Sequence, residues 1–120
     1  MKRLTEQEQE VMLVVWQNKG GFIKDFLESL PEPKPPYTTL ASTVRKLEQI
    51  GYLRGEKLGN SYRYTPAVGA GEYRKRFMSD IVSDYFSNSY KELVSFFANE
   101  KQISTDELRE IINMIEKPKE

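Results

Sequence analysis

Four prolines within six residues constrain the fold of this chain more than any other feature: Pro31, Pro33, Pro35 and Pro36. Proline lacks a backbone N–H and clashes with the preceding helical turn, so residues 31–36 are predicted to form a loop. On both sides of this loop, apolar residues recur at helical spacing. The first half of the chain is therefore expected to contain short helices separated by a loop.

Two helices are predicted before the loop. Thr5 and Glu8 form a capping-box pattern ahead of a helix over about 6–18. The wide apolar face of this helix includes Trp16, which we expect in the core. The segment 19–21 ends the helix, because glycine readily adopts the left-handed conformation at a C-cap. A second, shorter helix is predicted over about 22–29.

The third predicted helix, over about 38–50, has two contrasting faces. Leu40, Val44 and Leu47 recur at i, i+4 and i+7 and predict a buried stripe. Thr38 or Thr39 is the expected N-cap. The opposite face is small, polar and basic, with Thr38, Ser42, Arg45, Lys46 and Gln49.

A β-hairpin is predicted next, with strands at 52–57 and 62–65. Gly59 and Asn60 lie in the turn between them, where both residue types accept positive φ. Tyr62 and Tyr64 are expected to pack in the core. Three helices followed by one hairpin is the order of a winged helix-turn-helix. The predicted fold class is mainly α with a small β-hairpin, a winged helix-turn-helix domain followed by a helical dimerisation region.

The division predicted from the sequence is a winged-helix domain at 1–68 and a three-helix region at 69–120, with a short flexible linker at 68–71. Ser89 and Ser104 each open a capping-box pattern. Roughly 45 residues are too few to bury their apolar stripes alone, so we expect a two-fold homodimer. The alternatives are a monomer in which the helices pack back on the first 66 residues, and an aromatic ligand pocket. The expected dimerisation residues are Phe77, Ile81, Tyr85, Leu93, Val94, Phe97, Leu108, Ile111, Ile112 and Ile115.

Composition excludes several classes of function. The 120 residues contain no Cys and no His, which excludes disulfides, thiolate or imidazole metal sites, and Ser-His-Asp or Cys-His catalysis. Carboxylates are plentiful, but none stands in a catalytic context, so we predict no enzyme, catalytic residue, metal or cofactor. The longest apolar run, 11–16, is far short of a membrane span. No signal peptide is visible, so we expect a cytoplasmic protein without membrane insertion.

Charge is unevenly distributed although the net charge is zero. Residues 34–63 contain six basic and two acidic residues, whereas residues 67–120 contain eight basic and ten acidic ones. A basic segment followed by an acidic one indicates two roles, and chance clustering on a solvated surface is the alternative.

The ordered set of motifs resembles the BlaI/MecI/CopY family of penicillinase and methicillin-resistance repressors. The opening LT..E.EVM..VW, at 4–16, is similar to that family's first helix. The recognition helix and the wing of that family are similar to five segments of this chain: 39–42, 46–47, 51–53, 57–59 and 62–66. The patterns S...LV.F at 89–96 and IS.DEL.E at 103–110 resemble its dimerisation helices.

This resemblance implies a dimeric transcriptional repressor that binds a palindromic operator through a recognition helix (about 38–50) and a wing (about 53–65), with residues 1–68 as the DNA-binding domain. Given the resemblance, the expected DNA contacts are Thr38, Thr39, Ser42, Thr43, Arg45 and Lys46 on the third helix, and Arg54, Lys57 and Arg63 on the hairpin. It also implies a membrane sensor-protease system that acts indirectly and relieves repression by cleavage in the dimerisation region. Ser95 and Phe96 align with the Asn-Phe pair that is common at the family's cleavage site. Asn60 stands where an Arg commonly follows the wing Gly, and no copper-binding Cys-x-Cys pair occurs. The alternative function is a winged-helix module for protein contacts, without specific DNA binding.

Overall fold

The computed structural model describes residues 3–117, which form six helices and one two-stranded antiparallel sheet. The predicted fold class, mainly α with a small β-hairpin and further helices after it, is confirmed. The elements in chain order are α1 (Glu6–Asn18), α2 (Ile23–Ser29), α3 (Tyr37–Gln49), β1 (Leu53–Leu58), β2 (Ser61–Pro66), α4 (Ala70–Tyr85), α5 (Tyr90–Asn99) and α6 (Thr105–Glu116).

The chain divides into two compact units, one ending at Phe77 and the other beginning at Met78. The division falls inside α4, and Ala70 already belongs to that helix instead of to a linker. The first unit extends this far because Tyr73 and Phe77 pack against its core. Their ring centroids lie 6.0 Å apart.

Helix α1 spans the predicted residues, Glu6–Asn18, and only its C-cap differs from the expectation. The Thr5 hydroxyl accepts the Glu8 N–H at 3.2 Å, and Glu8 Oε1 accepts the Thr5 N–H at 2.9 Å. The left-handed C-cap residue is Lys19, with φ 58°, and not a glycine. Gly20 also has positive φ, and a Cβ atom there would lie 2.7 Å from the Tyr64 carbonyl oxygen. A close approach of β2 therefore requires glycine at position 20.

The core of the first unit is formed by α1, α2, α3 and the base of the hairpin. The predicted stripe on α3 is confirmed, because Leu40, Val44 and Leu47 are fully buried. Trp16 lies at the edge of this core and is only partly buried. Its indole N–H donates a hydrogen bond to the Val68 carbonyl oxygen at 2.9 Å, which joins α1 to the chain after the hairpin.

The hairpin, called the wing below, is attached to the helices through its backbone. The strand register pairs Leu58 with Ser61, so two residues form the turn, and Gly59 has φ 63°. In the middle of β2, Tyr64 exchanges two backbone hydrogen bonds of 2.9 and 2.8 Å with Gly21. The wing is therefore fixed to the segment that precedes α2.

The second unit contains the end of α4, with α5 and α6. Ser89 caps α5 by accepting the Glu92 N–H at 3.1 Å, and Ser104 forms a complete capping box with Glu107. Val82 of α4 is fully buried, but every residue of α5 and α6, all of them described, keeps some solvent exposure. Across residues 3–117, no helix is both long enough and apolar enough to cross a membrane.

Candidate nucleic-acid interface

The first turn of α3 presents two threonine hydroxyls to solvent. The N-cap residue is Pro36, with φ −58° and ψ 148°, so the prediction of Thr38 or Thr39 as the N-cap is wrong. Proline fixes φ near the helical value before the helix starts, and the helix begins one residue before the threonines. Thr38 and Thr39 are both exposed, and their hydroxyls are not used by a cap.

Farther along α3, exposed polar residues follow the threonines. Ser42 and Arg45 are exposed, and no carboxylate among residues 3–117 pairs with Arg45. Thr43 is half-buried, and its hydroxyl donates to the Thr39 carbonyl oxygen at 3.1 Å. Thr43 therefore offers its methyl group, whereas Arg45 offers an uncompensated positive charge.

Lys46 is exposed but not free. Its Nζ lies 3.1 Å from Oε2 of Glu8, whose side chain is only 5% exposed. Desolvation raises the pKa of Glu8, but the Thr5 N–H and the Lys46 ammonium outweigh it, so the pKa lies below its usual value. The sequence reasoning missed this ion pair, which joins the start of α1 to α3.

The basic residues of the wing lie on two different faces. Lys57 is opposite Tyr62 in the register and shares its face, whereas Arg54 and Arg63 lie on the other face. Tyr64 is buried as predicted, but Tyr62 is 50% exposed, so its predicted core position is wrong. Both side chains point to one face, and only Tyr64 lies close enough to the helices to be covered.

A groove of about 460 Å³ lies between α3, the start of α2 and the wing. Arg45 and Lys24 line it with positive charge, and Tyr37 and Tyr62 are its exposed aromatic residues. The sequence reasoning missed Lys24 and Tyr37. A signal for Tyr37 existed, because Tyr37, Ala41 and Arg45 recur every four residues on one side of α3.

The predicted dimerisation residues fall into three groups. Phe77 packs on the core of the first unit. Ile81, Leu93 and Leu108 are half-buried. The remaining six are exposed: Tyr85, Val94, Phe97, Ile111, Ile112 and Ile115.

The predicted cleavage pair lies inside α5. Ser95 and Phe96 are both exposed. The Phe96 ring contacts Phe86 and Phe97, with centroid separations of 5.7 and 5.2 Å. This aromatic cluster adds to the exposed apolar surface of the second unit.

Three helices, a wing fixed to them and an exposed polar face on the third helix define a winged helix-turn-helix protein. Comparison with known proteins gives the family. The model of the family described as "Penicillinase repressor" matches residues 4–117, nearly the whole chain. The chain therefore belongs to the penicillinase repressor family, whose members are transcription regulators and not enzymes. The resemblance inferred from the sequence motifs is confirmed.

Several relatives are similar over almost their full length. The penicillinase repressor of Bacillus licheniformis is 23% identical, and the alignment covers 98% of this chain and 92% of that protein. The methicillin resistance regulatory protein MecI of Staphylococcus aureus strain N315 is 20% identical, with 95% and 94% covered. The MecI protein of Mammaliicoccus sciuri is 20% identical, with the same coverage.

Proposed function

We propose that this protein is a dimeric transcriptional repressor that binds a palindromic operator. The main support is the exposed N-terminal half of α3, where small hydroxyl residues precede an unpaired arginine, in a chain of a regulator family. A recognition helix reads the major groove with its N-terminal residues. Thr38, Thr39 and Ser42 are assigned to phosphates or base edges, and Arg45 to a guanine or a phosphate.

The wing is assigned to the DNA backbone. Arg54 and Arg63 lie on one face of the wing and Lys57 lies on the other. The three side chains therefore cannot all contact the same stretch of DNA backbone. Lys57 shares its face with Tyr62, which lines the groove beside Arg45. We therefore assign Lys57 to the same DNA segment as α3, and Arg54 and Arg63 to flanking phosphates. Binding to DNA implies that the protein acts in the cytoplasm.

DNA binding is tested by recovering bound fragments genome-wide and measuring mobility shifts of the best fragment at two salt concentrations. We expect a palindromic motif and binding that weakens sharply with salt, because phosphate contacts release counterions. Arg45→Ala is expected to cost about 1–3 kcal/mol per half-site. Lys75→Ala is the matched control, because Lys75 is exposed on α4, outside the proposed interface.

A negative result would favour the other function. If no motif is enriched and Arg45→Ala binds like the control, the winged helix acts in protein contacts. The zero net charge of the chain is the observation that favours this alternative.

The proposed dimer is formed by α5 and α6. Their exposed apolar residues include Val94, Phe97, Ile111, Ile112 and Ile115. Burial of such side chains in a two-fold interface removes apolar surface from water in both protomers at once. Dimerisation also places two α3 helices for the two halves of a palindrome.

Relief of repression is assigned to cleavage between Ser95 and Phe96, triggered by a membrane sensor-protease system. The bond lies within a helix, so α5 must unwind before a protease can bind it. Mass spectrometry of the protein from induced cells is expected to find a fragment ending at Ser95. Intact protein at full induction would refute cleavage and leave ligand binding as the route of relief.

A further inference from the structure

The carboxylate of Glu8 is an unusual group in the first unit because it is charged and buried. Among residues 3–117, it is the one charged residue that is buried, at 4% exposure. Oε1 accepts the Thr5 N–H at 2.9 Å. Oε2 receives no hydrogen bond of good geometry, and the Lys46 ammonium at 3.1 Å is the group that compensates it.

Lys46 lies on the face of α3 that is assigned above to DNA. A shallow groove there is lined by Ser42, Thr43 and Lys46 from α3 and by residues 5–8 at the start of α1. The side chain of Lys46 is half-exposed. Lys46 is one of the six basic residues of segment 34–63, but its charge is compensated by Glu8, which lies outside that segment.

The two groups cannot be separated without a penalty. If Lys46 moved to a phosphate, the buried carboxylate would lose its compensating charge, which is strongly unfavourable. The free energy gained from an exposed contact with one phosphate is much smaller than this penalty, because water and salt screen the contact. Glu6 lines the same groove, but it is exposed and its charge is solvated.

We infer that Glu8 withholds Lys46 from DNA and thereby limits the positive charge that α3 presents to phosphates. This inference rests on the proposed DNA-binding function. Glu8 is a positioning residue that acts through Lys46, and Arg45 carries the available charge of this helix face. Because attraction to phosphates is independent of sequence, withholding one lysine favours the operator over random DNA.

The test compares Glu8→Gln, Lys46→Gln and the double variant. Glutamine also accepts the Thr5 N–H in a capping box, so Glu8→Gln removes the charge and keeps the cap. Binding to the enriched fragment and to a random-sequence duplex is measured across a salt series. Glu8→Gln is expected to bind the random duplex more tightly and to steepen the slope of log K against log salt by about 0.9 per protomer. Lys46→Gln and the double variant are expected to keep the wild-type slope, and Lys75→Gln is the control.

The opposite pattern overturns the inference: a slope that flattens by about 0.9 in Lys46→Gln and does not change in Glu8→Gln. A second measurement is independent of DNA. The carboxyl carbon resonance of Glu8 is followed by NMR as pH falls, and Lys46→Gln is expected to move the midpoint to higher pH. An unchanged midpoint refutes the ion pair and the inference with it. If the midpoint moves but no variant binds DNA, the proposed function fails, and the role of Glu8 in DNA binding fails for that reason.

Discussion

Replacing Ile112 with alanine tests the proposed dimer most directly. Ile112 lies on the apolar stripe of α6 and is 49% exposed in the single chain. The substitution removes three side-chain carbons, and alanine is a better helix former than isoleucine. The helix is therefore preserved while the apolar surface available for an interface becomes smaller.

The magnitude follows from the exposed fraction. Three buried carbons at about 0.8 kcal/mol each contribute about 2.4 kcal/mol, and the 49% that remains exposed corresponds to about 1.2 kcal/mol. A two-fold interface contains the residue twice, which gives about 2.4 kcal/mol for full burial. The dimer dissociation constant is then expected to rise about 50-fold.

Sedimentation equilibrium across a dilution series measures this change. The matched control is Leu13→Ala, because Leu13 is 55% exposed on α1 of the first unit. Circular dichroism checks that helix content is retained in both variants. If the two variants dissociate within about threefold of each other, Ile112 does not lie in the interface and the assignment of α6 to the dimer is refuted.

Three further predictions concern the stability of the first unit. Because the pKa of Glu8 is lowered in the fold from its ordinary value of 4.5, the ionised carboxylate stabilises the protein at pH values above 4.5. This stabilisation is lost as pH falls through the lower folded pKa. The melting temperature measured between about pH 6 and about pH 3 should therefore change less with pH in Glu8→Gln than in the wild type. Gly20→Ala is expected to destabilise by about 1–3 kcal/mol, because the residue has φ 97° and its Cβ would collide with a carbonyl oxygen of β2. Gly69→Ala, where no atom lies within 4 Å of the added Cβ, should stay close to the wild type in urea unfolding. Trp16→Phe loses the hydrogen bond to Val68 and should lower the free energy of unfolding by about 1 kcal/mol, and an unchanged value would assign that contact no net stability.

Local patterns predicted the elements of this fold well. The capping residues of α1 and α6, the proline loop and the two-residue turn each depend on a few neighbouring residues, and all of them are present in the structure. The buried stripe of α3 was also predictable, because helical spacing alone identifies Leu40, Val44 and Leu47 as one face.

Contacts between distant residues could not be predicted in the same way. Glu8 and Lys46 are separated in the chain by about half of the first unit, and each has an ordinary local role, in a cap and on a helix face. Tyr62 and Tyr64 alternate identically in the sequence, but only one is buried. The difference depends on where the helices stop covering the hairpin. Sequence patterns give the face of a strand and not the extent of the surface that packs against it.

The attachment of the wing has a consequence for how such regulators diverge. The middle of β2 is joined to the segment before α2 by two backbone hydrogen bonds between Gly21 and Tyr64, and peptide groups are the same in every sequence. The tip, residues 58–62, is exposed and makes no contribution to the core. Substitutions at the tip therefore change the stability of the fold little, but they directly change the surface that contacts a binding partner. In a lineage of these proteins, new binding preferences can accumulate there while the scaffold is preserved.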